Sequence, residues 1–222
     1  MDKKKNMIKT ILFDMGGVVI TLAQPQAIKR FHALGLMDAE ERLDAYTQQG
    51  IFGDLESGRI TDEDFRRELS VLVGRELTWQ ECCEAWKGYC GDVPRRNLKK
   101  MQELRQRGYR VVLLSNTNPF MMSWVMSDAF DGEGHSLAYY LDAAYESYKC
   151  GAMKPDPKFF NAVIEGEKLI PSETLFIDDG PRNIEAAKAL GIHTLLVKNG
   201  EDWTGKLEDL LSSIDKEFNF RK

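Results

Sequence analysis

Short apolar runs recur along the chain, and each ends abruptly in polar or glycine-rich residues. Thr10-Ile11-Leu12-Phe13 runs into Asp14, Arg110-Val111-Val112-Leu113-Leu114 into Ser115-Asn116, and Thr174-Leu175-Phe176-Ile177 into Asp178-Asp179. His193 to Val197 is a fourth run, and Ala143 to Tyr148 a weaker fifth. Runs this short and this continuously apolar suit strands of a parallel sheet covered on both faces. Helical patterns lie between them. Leu98, Met101 and Leu104 recur at helical spacing, with Gly108 where a C-terminal cap belongs. Phe159, Phe160, Val163 and Ile164 form a second stripe, opened by Pro155-Asp156-Pro157. Pro181 to Leu190 reads as a third helix, with proline in its first turn and Gly191 beyond its end. Alternation of this kind predicts a Rossmann-like, doubly wound α/β core.

The stretch from Leu22 to Asp92 breaks the alternation. It carries helical patterns over Ile28–Leu36, Ala39–Gln49, Asp62–Val73 and Trp79–Tyr89, with no convincing strand. Thr61, followed by Asp62, Glu63 and Asp64, is a helix start: a capping hydroxyl, then acids in the first turn. The expected organisation is a core of residues 1–21 and 93–222, with residues 22–92 as an all-helical insertion.

Composition narrows the class. The chain has 222 residues, 43% hydrophobic and 29% charged, enough to bury a full core without covalent staples. A formal net charge of −5 argues against a nucleic-acid partner, which would call for a basic face. The lysines at positions 3–5 precede an apolar stretch soon cut by Asp14, Gly16 and Gly17, so they read as a solvated tail and not as an export signal. With no apolar run of membrane-spanning length, the expected partner is a small molecule, not a membrane. Cys82, Cys83, Cys90 and Cys150 form no C-x-x-C pair, and the histidines His32, His135 and His193 lie far apart. Reduced thiols in a cytoplasmic protein are the simpler reading than a zinc site or a disulfide framework. Oligomeric state is left open.

In open α/β sheets, ligands bind beyond the carboxyl ends of the strands. The residues delivered there are Asp14, Ser115-Asn116, Asp178-Asp179 and, on a loop after the weaker strand, Lys154. Carboxylates, a hydroxyl and a lysine converging on one edge suit a dianionic phosphate and a hard divalent cation. Alone, Asp14 would read as a turn-forming residue; in this company it reads as chemistry.

With these four segments the sequence resembles the haloacid-dehalogenase superfamily over nearly its whole length. The motifs stand as Phe13-Asp14-Met15-Gly16-Gly17-Val18-Val19, Leu113-Leu114-Ser115-Asn116, Lys154-Pro155 and Phe176-Ile177-Asp178-Asp179-Gly180-Pro181-Arg182-Asn183. The resemblance implies that Asp14 attacks phosphorus and forms an aspartyl phosphate, and that the helical insertion closes over the site as a cap. It implies a Mg²⁺ cofactor held by the Asp14 carboxylate, the Gly16 carbonyl and Asp179, with Asp178 a ligand through water or an orienter behind them. Ser115, Asn116 through its amide, and Lys154 would bind the phosphoryl oxygens.

One position departs from the superfamily's phosphatases. They carry a second Asp two residues after the nucleophile as general acid, where this chain has Gly16. Such catalysis is worth about 10²–10⁴-fold. Either the substrate has a good leaving group, such as a sugar 1-phosphate, or another acid substitutes, or turnover is lost. Asp14-Met15-Gly16-Gly17-Val18 resembles the bacterial α-D-glucose-1-phosphate phosphatase-like subgroup, which favours a sugar 1-phosphate hydrolysed faster than a 6-phosphate. The alternatives are a metal-free 2-haloacid dehalogenase, disfavoured by Asp178-Asp179, and a catalytically silent phosphate-binding regulatory protein. Within the insertion, Phe52, Asp54, Glu56, Arg59, Trp79 and Trp86 are candidates for substrate contact, set against a core role for Trp79 and Trp86 at seven-residue spacing. Met121, Met122 and Met126 read as packing, and Arg182 and Asn183, at a helix start, read equally as surface or capping residues and as catalytic ones.

Overall fold

A computed structural model of the chain describes residues 7–44 and 48–220. The lysines at 3–5 and the middle of the Ala39–Gln49 pattern fall outside them. The elements run β1 (Thr10–Phe13), β2 (Thr21–Leu22), α1 (Gln24–Leu34), α2 (Ala39–Arg42), α3 (Ile51–Glu56), α4 (Asp62–Val73), α5 (Trp79–Trp86), β3 (Cys90–Asp92), α6 (Arg95–Gln106), β4 (Arg110–Ser115) and α7 (Pro119–Val125). They continue with β5 (Ala143–Glu146), α8 (Ser147–Cys150), α9 (Pro157–Glu167), β6 (Thr174–Asp178), α10 (Pro181–Ala189), β7 (His193–Leu196) and α11 (Thr204–Phe220).

Five strands make one parallel sheet in the order β5-β4-β1-β6-β7. Side chains alternate across it, and so the sheet has two cores. Ile11, Phe13, Val111, Leu113, Leu175 and Ile177 face one side, packed with Leu98, Met101 and Leu104 of α6 and with Leu207, Leu211 and Ile214 of α11. Leu12, Val112, Leu114 and Phe176 face the other, against Phe159, Phe160 and Val163 of α9 and Ile184 and Ala187 of α10. This is the doubly wound, Rossmann-like arrangement. Register aligns the strand ends: Phe13 sits beside Leu113 on one flank and Ile177 on the other, so the loops leaving these strands emerge at one edge.

Two elements escape the hydrophobic pattern. β2 and β3 form a small antiparallel ribbon at the two ends of the helical segment, Thr21 opposite Asp92 and Leu22 opposite Cys90. Asn199 fastens it to the core by accepting from Leu22 N (2.8 Å) and donating to Leu22 O (3.0 Å). The C-terminal helix α11 is the other.

Between β2 and β3 the described residues form helices only. The expected Asp62–Val73 helix is present with the same bounds, and a full capping box joins Thr61 and Asp64. The Trp79 helix is shorter than the pattern implies and ends at Trp86. Phe31, Phe52, Phe65 and Trp86 pack edge-to-face or tilted, with ring centroids 5.1–5.8 Å apart. Phe65 then meets Phe120 of α7 at 5.5 Å, so the helical segment shares a core with the sheet. Trp79 departs from the core role its spacing implies: it is 38% exposed, lies against Phe120, and donates to Asp62 Oδ2.

Trp203, ahead of α11, holds the loop after β1. It is fully buried, its ring lies 5.5 Å from Phe13, and its Nε1 donates to Val18 O at 2.9 Å. Trp203→Ala is expected to cost about 3–5 kcal/mol of unfolding free energy in a urea titration, chiefly from the cavity, since the Val18 carbonyl keeps its bond from Asn97 Nδ2 (2.8 Å). A cost below about 1 kcal/mol would show that the loop is held by other contacts.

Candidate functional site

The aligned strand ends place Asp14, Lys154, Asp178 and Asp179 in one cluster. Asp14 leaves β1 with its amide bonded to Ile177 O at 3.0 Å, which ties it to β6. Its Oδ1 lies 2.8 Å from Lys154 Nζ, and Asp178 Oδ2 lies 2.7 Å from the same nitrogen. Lys154 is thus a buried ammonium shared by two carboxylates. Asn116 fixes its backbone: Asn116 Oδ1 accepts from Lys154 N (2.8 Å) and Nδ2 donates to Lys154 O (2.9 Å).

The two acids of the fourth motif are not equivalent. Asp178 is fully buried and fully used: Oδ2 takes Lys154, and Oδ1 accepts from Gly180 N (2.7 Å) and Asn183 Nδ2 (2.9 Å). Asp179 is buried with its Oδ2 unpartnered among the described residues. That oxygen packs against the backbone at Gly17, which adopts φ +73°; a Cβ there would collide with it. One carboxylate oxygen from each of Asp14, Asp178 and Asp179 lies within 4.8 Å of the others, the spacing of a cation site. With Asp178 saturated, Asp14 and Asp179 are the side chains that fit a hard divalent cation.

Electrostatics agree. Burial, reinforced by the neighbouring carboxylates Asp178 and Asp179 and opposed by Lys154, pushes the Asp14 carboxyl up to about 8. Burial and Asp178 likewise push Asp179 up to about 6 against the pull of Lys154. Burial lowers Lys154, but Asp14 and Asp178 outweigh it and keep the ammonium charged. The cluster carries more negative groups than one lysine neutralises, and added positive charge would relieve it.

Above the cluster opens a cavity lined from the core by Asp14, Gly16, Asn116, Thr117, Asn118, Lys154, Asp179 and Asn183, and from the helical segment by Gln48, Glu56, Trp86 and nearby Tyr89. Among the described residues, four buried polar atoms on its walls lack hydrogen-bond partners: Asp179 Oδ2, Thr117 Oγ1, Asn118 Nδ2 and Trp86 Nε1. Buried polar atoms are ordinarily paired, so this concentration marks a site built for a polar ligand.

Several sequence expectations shift. Ser115 does not line the cavity; it is buried at the end of β4, its hydroxyl turned to the Asn116 carbonyl at 3.3 Å. The hydroxyl on the wall is that of Thr117. The Asn116 side chain is spent on Lys154, which leaves only its backbone for a ligand. Of the cap candidates, Glu56 and Trp86 reach the cavity, whereas Phe52 lies inside the aromatic core and Asp54 pairs with Arg59. Gln48 and Tyr89, neither singled out from the sequence, line the wall, and Tyr89 OH donates to Gln48 Oε1 at 3.0 Å. Gly16 is a wall residue, and a side chain in its place would press on Leu22 Cδ2 at 2.9 Å.

The haloacid dehalogenase-like hydrolase family profile matches residues 8–191, and the chain belongs to this family. It is 47% identical over 207 residues, 93% of this chain and 100% of the relative, to a D-ribitol-5-phosphate phosphatase of Bacteroides thetaiotaomicron. Among solved structures it is similar to a HAD-like family hydrolase from Porphyromonas gingivalis, at 42% identity and a TM-score of 0.87, with 92% of this chain and 98% of that one covered. A HAD family enzyme of Bacteroides thetaiotaomicron, solved with magnesium and inorganic phosphate, aligns at 37% identity and a TM-score of 0.80, over 88% of this chain and 97% of that one.

A raised carboxyl pKa makes folding favour the protonated form, so its contribution to stability is lost as pH climbs from the ordinary value near 3.8 through the raised one. In the presence of a chelator, wild-type protein is therefore expected to lose more melting temperature between about pH 5 and pH 8 than Asp14→Asn or Asp179→Asn does. Parallel melting curves for all three proteins would contradict the assignment.

Proposed function

We propose that the chain is a Mg²⁺-dependent phosphatase acting on a small polyhydroxylated phosphate ester through an aspartyl-phosphate intermediate, with residues 22–92 as its cap. The observation that carries this reading is the unpartnered Asp179 Oδ2 within ligand distance of Asp14, beside a lysine already committed to Asp14 and Asp178. It also disfavours the dehalogenase reading, whose chemistry needs no carboxylate pair for a metal. The free cysteines fit a reducing, cytoplasmic setting. Among the described residues no helix is long and apolar enough to cross a membrane.

Asp14, Asp179 and the Gly16 carbonyl would hold the metal. Bound Mg²⁺ supplies the positive charge that keeps Asp14 and Asp179 ionised at neutral pH and polarises a phosphoryl oxygen. The Asp14 carboxylate attacks phosphorus and displaces the alcohol, and water then hydrolyses the acyl phosphate, so one hard displacement becomes two easier ones. Lys154 orients Asp14 and offsets charge on the phosphoryl group, and its own position is set by Asp178 and Asn116. Thr117 Oγ1 and the Asn116 backbone amide take the remaining phosphoryl oxygens, while Ser115 packs beneath them and the Thr117 amide is spent on Ser147 Oγ (2.9 Å). On the helical wall Trp86 Nε1, and on the core wall Asn118 Nδ2, offer donors to hydroxyl oxygens, which supports a sugar or polyol as the esterified group.

The relative's name points to a linear polyol phosphate, and Gly16 to a sugar 1-phosphate with its better leaving group. A panel of both, with sugar 6-phosphates, nucleotides and 2-haloacids, tests the class. Phosphate release that requires Mg²⁺, is highest on a sugar 1-phosphate or linear polyol phosphate, and falls to background in Asp14→Asn is expected. Halide release without metal, or phosphate binding with no turnover on any ester, would overturn the reading.

A further inference from the structure

Gly16 leaves the nucleophile without the proton donor that departure of a simple alkoxide requires. Outside the metal cluster, the cavity wall carries one carboxyl group among the described residues. Glu56 ends α3, is 7% exposed, and makes no ion pair among the described residues. The loop after it is docked on the core: a Cβ at Gly58, where φ is +71°, would collide with the Tyr148 carbonyl of α8. Glu56 is thereby held beside Asn118, on the segment that leaves β4 and supplies Asn116 and Thr117 to the same wall.

We infer that Glu56 is the general acid of the first half-reaction, protonating the departing alcohol in place of the side chain missing at Gly16. The inference rests on the phosphatase reading. As the bond from Asp14 to phosphorus forms, the bond to the ester oxygen breaks. Its electron pair goes to that oxygen, which takes the Glu56 proton, so that alcohol leaves and Glu56 becomes a carboxylate. When water cleaves the aspartyl phosphate, one water proton stays on the released hydrogen phosphate and the other restores Glu56.

The environment holds that proton in readiness. Burial pushes the Glu56 carboxyl up to about 8, and Asn118 pulls it back only in part. Asn118 Nδ2, with no other partner among the described residues, is the donor that pulls on the carboxyl. A neutral carboxylic acid at working pH is the state a leaving alkoxide needs.

The test compares kcat/KM, which reports the steps through departure of the alcohol, on a linear polyol phosphate and on 4-nitrophenyl phosphate, whose phenolate leaves unprotonated. With Mg²⁺ present, Glu56→Gln is expected to lose about 10²-fold or more on the polyol ester and less than about tenfold on the nitrophenyl ester. Glu56→Asp, which withdraws the carboxyl by one methylene, is expected to show the same selectivity with a smaller loss, and it carries the test if the glutamine variant does not fold. Equal losses on both esters, or no loss on the polyol ester, would overturn the assignment while leaving the phosphatase reading intact. A wild-type protein inactive on both esters would overturn the phosphatase reading and the inference with it.

Discussion

A buried lysine ammonium between a buried and a half-buried carboxylate organises this molecule. Lys154 can remain charged without solvent because Asp14 and Asp178 stand within 2.8 Å of it, and Asp178 can remain buried because the lysine is there. Each member comes from a different part of the sheet edge: Asp14 after β1, Asp178 at the end of β6, Lys154 from the loop ahead of α9. The interaction therefore fixes strand ends against one another as well as charges. Its charge balance is incomplete. One cation faces three acids, and the surplus falls on Asp179, whose Oδ2 has no partner among the described residues. Buried charge is tolerated when paired, so an arrangement short of one positive centre is a strong statement about what the site receives.

Much of this was legible along the chain. A parallel strand covered on both faces must be continuously apolar, so β1, β4 and β6 stood out and their polar successors with them. Asp14, Lys154, Asp178 and Asp179 each lie next to such a boundary. What could not be read depends on contacts distant in sequence. Asp178 and Asp179 are ranked in sequence only by resemblance; the bonds from Lys154, Gly180 and Asn183 are the physical reason that one is an anchor and the other open. Ser115 and Thr117 are separated only by which hydroxyl the loop turns inward. The β2–β3 ribbon is too short to leave a periodic trace, and its pairing joins residues on either side of the helical segment.

Glu56 belongs to the same group. In sequence it stands among the candidates for substrate contact, but nothing local predicts that it is buried. Its position depends on the tight approach of Gly58 to Tyr148, a contact between residues far apart along the chain. Long-range packing thus converts an ordinary glutamate into a neutral acid, by the same desolvation that raises Asp14 and Asp179.

The aromatic chain from Phe31 through Phe52, Phe65 and Trp86 to Phe120 has a further consequence for how such an enzyme can diversify. Trp86 is both a member of that cluster and a wall of the cavity. A substitution that reshapes the pocket there also loosens the seam between the helices and the sheet, so new selectivity at this wall comes coupled to a change in how firmly the helical segment is seated. Gln48 stands outside the aromatic cluster and meets it through the Tyr89 hydroxyl, so drift in substrate preference among relatives should run through such polar positions first.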